Sequence, residues 1–232
     1  MDDLMDLKTG ELHIWRATFD KKDYESEKTN PLLSKEEKER CSRYLREPER
    51  IRYTCTHRFV REVLARYLPT TASQIQFDQA PMGKPFVKNS GLFFSYSYRT
   101  HFGLLAISKH SEVGVDIEKM KPLQDAPTFA AFSFSPKERD LIFASPPDRF
   151  QDTLFTFWTF KEAIIKALGV GLNADLTHID LSDFFYAELN PLRFVNDTVY
   201  TVKQIQAQDG YKAAFAIQGK LDAYTEFDYV SK

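Results

Sequence analysis

Two hydrophobic periods alternate along this chain, one fitting strands and the other helices. Leu12, Ile14 and Trp15 stand in a short β-prone run that predicts a first strand over Leu12–Phe19. A charged stretch follows, ends at Asn30-Pro31, and reads as a linker. Ser34 with Glu37 three residues later makes a capping-box pair, predicting a helix through about Tyr44. Phe59, Val60, Val63, Leu64 and Tyr67 fall at helical spacing, so Thr54–Tyr67 is expected to form a second helix, stopped by Pro69. Met82-Gly83-Lys84-Pro85 reads as a turn, and Leu92–Tyr98, Gly103–Ser108 and Gly114–Glu118 as three strands.

Lys121-Pro122 and Ala126-Pro127 interrupt the chain, and a lobe boundary is placed just before Gly114, dividing 1–113 from 114–232. Beyond it, Ser135 caps a helix with Pro136 at its first position, and a longer helix runs through Leu168 to a stop at Gly169. Ile179–Ser182, Tyr200–Gln206 and Tyr211–Ile217 are candidate strands. Each lobe therefore reads as helices plus a small antiparallel sheet, an α+β architecture.

Composition narrows the class. With 232 residues, 43% hydrophobic and 14% aromatic, the chain has enough apolar mass for a real core. A formal net charge of −2 argues against a protein that coats nucleic acid. Cys41 and Cys55 show no metal-binding spacing, which fits a reducing, cytoplasmic setting. The acidic start Met1-Asp2-Asp3-Leu4 lacks the pattern of a secretory leader, and no apolar run reaches membrane-spanning length.

The chemistry concentrates in two stretches. In Gly114-Val115-Asp116-Ile117-Glu118 the carboxylates are two apart, which puts both on one face of a strand. In Trp158-Thr159-Phe160-Lys161-Glu162-Ala163-Ile164-Ile165-Lys166, Glu162 and Lys166 are helical i,i+4 neighbours. Each stretch has an ordinary reading beside the functional one. Phe157, Phe160, Ile164 and Ala167 make a core stripe, and an exposed Glu–Lys pair contributes only about 0.3–0.5 kcal/mol. Two acids on one strand face repel each other, however, and ask for a compensating cation. Three carboxylates and an ammonium brought together suit a hard divalent cation and a phosphate-bearing substrate.

Gly-Val-Asp-x-Glu followed by Trp-x-x-Lys-Glu-Ala-x-x-Lys resembles the paired signature of the 4'-phosphopantetheinyl transferases. Leu33-Ser34-Lys35-Glu36-Glu37, Arg52 and Arg61, Gly83-Lys84-Pro85 and Phe94-x-x-Ser97 appear in the order of the larger, surfactin-type branch. The resemblance covers about residues 32–217. It implies two similar lobes related by a pseudo-two-fold axis, with coenzyme A as a substrate bound in the cleft between them. It further implies transfer of the phosphopantetheine arm to a serine of an acyl or peptidyl carrier protein, releasing adenosine 3',5'-bisphosphate. By resemblance, Asp116, Glu118 and Glu162 hold Mg²⁺ (Mn²⁺ being the other option), and Glu162 serves as third ligand or as base. Lys166 and Lys161 are expected at phosphate. Arg40, Arg52, Arg61, Lys84, Ser97 and Tyr98 are expected at coenzyme A.

Two departures stand out. Tyr98 takes the place where relatives usually carry a phosphate-touching histidine, and Val170 separates two glycines that often flank a lysine. A phenol brings no positive charge near neutral pH. Arg99 and His101, beside it, could supply one or could point away. Lys119-Met120-Lys121-Pro122-Leu123 and the phenylalanine-rich run Phe129–Phe134 read as a basic, apolar dock for an acidic carrier protein, or else as core. A monomer is expected, since one chain can form the cleft. Two other readings share these residues: a non-catalytic module that binds coenzyme A or carrier protein, and a metal-dependent phosphohydrolase.

Overall fold

The structure, a computed structural model, describes residues 4–19, 31–171, 174–185, 192–195 and 198–230. The expected charged linker up to Asn30 falls mostly outside them. The first sheet holds β1 (Glu11–Thr18), β4 (Phe93–Arg99), β5 (Phe102–Ser108) and β10 (Ala223–Tyr229), in the order β10-β1-β5-β4. The second holds β6 (Val113–Lys119), β7 (Leu192–Val195), β8 (Thr198–Ile205) and β9 (Tyr211–Gln218), in the order β6-β9-β8-β7. A short hairpin, β2 (Phe77–Gln79) with β3 (Pro85–Val87), stands apart from both.

Helix starts obey the local signals. α1 (Lys35–Ser42) opens on a complete Ser34–Glu37 capping box. α2 (Glu47–Leu64) begins seven residues earlier than the apolar spacing predicts, because Pro48 in the first turn and acidic Glu47 and Glu49 favour a helix N-terminus. It also ends at Leu64, ahead of Pro69. α3 (Ala126–Ser133) occupies the stretch read as an interruption: Asp125 caps it and Pro127 lies in its first turn, where proline is tolerated. α4 (Pro136–Ala144) opens on the Ser135–Glu138 box. α5 (Phe150–Leu168) closes at Gly169, which adopts a left-handed φ of 68°. The strand expected at Ile179–Ser182 is absent; Ser182–Phe185 is a 3-10 turn instead.

Period-two alternation sorts the core. Trp15, Phe94, Leu105 and Ile107 face α2, where Phe59 and Val63 meet them. Ala214 and Ala216 face α5, against Phe157, Phe160 and Ile164. The remaining faces of the sheets press on each other through Leu12, Ile14, Leu104, Ala106, Val115, Ile117, Phe215 and Ile217. Helix, sheet, sheet and helix thus stack in layers.

The expectation of a small antiparallel sheet in each lobe needs one correction. β10 leaves the second sheet and pairs parallel with β1, from Glu11↔Ala223 to Ala17↔Tyr229. The first sheet is therefore mixed, and residues 223–229 belong to it, because the open edge of β1 accepts another strand there. No described helix is long and apolar enough to cross a membrane.

Candidate active site

β6 turns Gly114, Asp116 and Glu118 toward α5, while Val113, Val115 and Ile117 face the other sheet. A methyl group on Gly114 would run into the backbone of Ala163 and Ala167. Glycine therefore permits the close approach that sets Glu162 and Lys166 over the two acids. Lys166 Nζ donates to Asp116 Oδ1 at 2.6 Å and to the Val115 carbonyl at 3.2 Å. Trp158 Nε1 donates to Glu118 Oε1 at 3.3 Å.

β4 joins this cluster without pairing to β6. Ser95 Oγ accepts the Val115 N–H at 3.2 Å, and Ser97 Oγ donates to Asp116 Oδ1 at 2.8 Å. Arg99 forks onto Glu118, Nε to Oε2 at 2.7 Å and Nη2 to Oε1 at 2.5 Å. Alternate side chains of β4 thereby replace a backbone ladder between the two sheet edges. These groups line a cleft of about 520 Å³. A larger hollow of about 1110 Å³ adjoins it at Gly83, Pro85 and Tyr96, with Arg40, Tyr53 and His57 in its wall.

The cluster is electrostatically incomplete. Burial first, then the negative charges of Asp116 and Glu118, push the Glu162 carboxyl up to about 7 against the pull of Lys166. Asp116 Oδ2 and Glu162 Oε1 are buried without a hydrogen-bond partner. Such oxygens are costly unless a ligand takes them, and they are the hard donors that a divalent cation prefers. Among the described residues, no three acids, histidines or cysteines are already gathered as a metal cage. Glu118 is instead engaged by Arg99.

Several residues expected at coenzyme A or phosphate are committed elsewhere. Lys161 points into the second lobe, where its fully buried Nζ lies 2.5 Å from Glu138 Oε2 and 2.9 Å from the Ser133 and Leu176 carbonyls. Successive helix residues point about 100° apart, and of this pair only Glu162 lines the cleft. Arg61 is 1% exposed and serves packing. It binds Glu37 through Nε at 2.9 Å and Nη2 at 2.7 Å, and the Ala72 and Ile75 carbonyls through Nη1. Lys84 lines the cleft, but its ammonium holds Glu112 and the Val113 and Ala167 carbonyls, pinning the β2–β3 hairpin to the second lobe.

Ser97 sits at the cluster as Asp116's partner. Tyr98 alternates to the opposite face, toward half-buried Arg52, exposed Arg40 and Tyr44, with its phenol pushed up chiefly by burial. Arg99 turns to Glu118 on the other face of the strand. The phenylalanine-rich run divides: Phe134 is core, Phe129 packs edge-on against Trp158, and Phe132 is 77% exposed. Trp158 gained no site role from sequence, although the tryptophan of the helix motif was the available signal, and Arg99 was weighed only as a charge beside Tyr98, not as the partner of Glu118.

The segment matched by the model of the 4'-phosphopantetheinyl transferase superfamily, residues 112–216, includes both β6 and α5, the two walls of the acidic cleft. Over these residues the chain is similar to the 4'-phosphopantetheinyl transferase superfamily. It is 29% identical to the 4'-phosphopantetheinyl transferase HetI of Nostoc sp., over 92% of this chain and 90% of that protein. Identity to the 4'-phosphopantetheinyl transferase ffp of Bacillus subtilis is 26%, over 82% of this chain and 84% of the relative. With Sfp of Bacillus subtilis it is 29%, over 66% and 67%. The second lobe carries the matched signature while the first lobe supplies the facing strand β4.

Proposed function

We propose that this transferase moves the 4'-phosphopantetheine arm of coenzyme A onto a serine of an acyl or peptidyl carrier protein, releasing adenosine 3',5'-bisphosphate. The observation that carries the reading is the pair of unpartnered, buried carboxylate oxygens of Asp116 and Glu162, beside the Lys166–Asp116 ion pair and inside the segment matched to the superfamily. Asp116 through Oδ2, Glu118 and Glu162 would hold Mg²⁺ or Mn²⁺. The bound cation would neutralise charge on the diphosphate as the linkage breaks.

The protein groups have separable tasks. Lys166 and Ser97 both hold Asp116 Oδ1, leaving Oδ2 directed away from them. Glu162 would serve either as the third ligand to the cation or, through Oε1, as the base that takes the serine proton. Arg40 and Arg52, on the Tyr98 side of β4, are the guanidinium groups left to meet the nucleotide end of coenzyme A. The exposed Phe132 and, eleven to thirteen residues earlier in the chain, the exposed Lys119 and Lys121 suit an acidic carrier protein. A monomeric, cytoplasmic enzyme fits the cleft formed within one chain.

Incubation with coenzyme A, Mg²⁺ and an apo carrier protein should add the pantetheine arm, read as a mass increase of the carrier. Asp116→Ala should abolish the increase, and an unaffected variant overturns the cation assignment. The internal commitment of Arg61, Lys84 and Lys161 favours a second reading, a module that binds coenzyme A or a carrier protein without turnover. Calorimetric binding with no mass change across several carrier proteins would establish that reading instead.

A further inference from the structure

Three cations line the acidic cleft, and they are held differently. Lys84 is anchored by Glu112 and two backbone carbonyls, and its side chain is 15% exposed. Lys166 is anchored by Asp116 and the Val115 carbonyl, at 29%. Arg99 is 49% exposed at the rim of the cleft, and its guanidinium bonds Glu118 through Nε and Nη2. A cation tied to a single carboxylate, with half its side chain in solvent, is the one free to leave.

We propose that Arg99 is an exchangeable counter-ion: it occupies Glu118 in the free protein, yields that carboxylate to a divalent cation, and then engages the diphosphate of the substrate. The inference rests on the transferase reading above and adds a residue and an order of events to it. The guanidinium fork takes one lone pair on each Glu118 oxygen, and Trp158 takes another on Oε1. Only one lone pair, on Oε2, is left for a metal ion, so a metal bound through both oxygens competes for the occupied ones and repels the adjacent guanidinium. Displacement follows from that competition.

Charge balance supplies the second half. Asp116, Glu118 and Glu162 oppose Lys166 and Arg99, so the fully ionised cluster carries an excess negative charge. A divalent cation reverses the sign and leaves Arg99 beside a positive centre, without its carboxylate. A dianionic diphosphate then suits both the metal and the forked donor. Arg99 thereby shields Glu118 from unpaired burial before ligands arrive.

The test measures two affinities by calorimetry, neither requiring turnover: Mg²⁺ for the protein alone, and coenzyme A for the Mg²⁺-loaded protein without carrier. Arg99→Gln should tighten Mg²⁺ roughly 3–10-fold, because Glu118 no longer has a competitor. The same variant should weaken coenzyme A about tenfold or more, since a charged hydrogen-bond donor is lost. Arg99→Lys keeps the charge without the fork and should fall between wild type and Arg99→Gln on both scales. Opposite shifts separate exchange from a packing defect, which would weaken both ligands. Unchanged or weaker Mg²⁺ binding in Arg99→Gln, or unchanged coenzyme A binding, overturns the proposal. Wild-type protein that transfers the arm while Arg99→Gln shifts neither affinity refutes the exchange alone. Wild-type protein that binds neither ligand refutes the transferase reading with it.

Discussion

Lys161 and Lys166 leave the same helix, α5, and end in opposite circumstances. Lys161 and Glu138 are fully buried, and their bonds close the cluster: Nζ meets Glu138 and two carbonyls, while Glu138 also accepts the Ser135 and Leu181 N–H groups. Burial pushes Glu138 up and Lys161 down, against their mutual attraction. Lys166 instead meets an Asp116 that keeps one oxygen unpartnered, next to a Glu162 in the same state, in an open cleft. Completeness of hydrogen bonding distinguishes the two clusters better than charge or burial does. The closed one fastens α3, α4 and α5 together, and the incomplete one is poised for a ligand.

The widest separation should appear in substitutions of the two lysines. Lys161→Met leaves a buried carboxylate unpaired and should cost about 3–5 kcal/mol in denaturant unfolding. Combining it with Glu138→Leu should recover most of that loss, since an apolar pair of similar size replaces the ions. Lys166→Met should shift stability by about 1 kcal/mol or less, while slowing transfer roughly 10²–10³-fold. Equal destabilisation by the two single variants would break the contrast.

A smaller effect should appear in the pH dependence of stability. An unfolded glutamate titrates near 4.5 and Glu162 in the folded chain at about 7. Between those values the native state keeps a proton that the unfolded chain has lost, so the part of the stability set by Glu162 is full below about 4.5 and falls as pH rises toward 7. The decline should be on the order of 1–3 kcal/mol in metal-free protein. It should vanish in Glu162→Gln and shrink when Mg²⁺ is present. A metal-free decline that survives in Glu162→Gln would assign it to other groups.

The smallest effect concerns the seam between the sheets. Ser97→Ala removes the bond to Asp116 Oδ1 and should lower stability by about 0.5–1.5 kcal/mol in thermal or denaturant unfolding. A loss well above that range would mean that Ser97 holds the two sheets together beyond its one hydrogen bond.

Elements with local instructions were readable in advance. Ser34–Glu37 and Ser135–Glu138 close their capping boxes, and Gly169 ends α5. Asp116 and Glu118 share a strand face and Glu162 and Lys166 a helix face, as their spacing required, and the meeting of the two faces in one cleft is what the family resemblance implied. β10 was not legible, because Ala223–Tyr229 becomes a strand only by pairing with a segment more than two hundred residues earlier. α3 was missed because proline was read as a breaker where it occupies a first turn.

Sequence by itself determined the alternation of strand faces, the helix caps and the pairing of two acids on one strand and an acid with a lysine on one helix, since these depend on spacing and local backbone chemistry. Tertiary structure alone decided which charges remain available. Arg61, Lys84 and Lys161 look like phosphate ligands in one dimension, yet each is consumed by carbonyls and carboxylates from distant segments. Asp116 and Glu162 retain unpartnered oxygens for the converse reason. Hydrogen-bond saturation is set by neighbours the chain brings together only on folding, so it cannot be read from the order of residues.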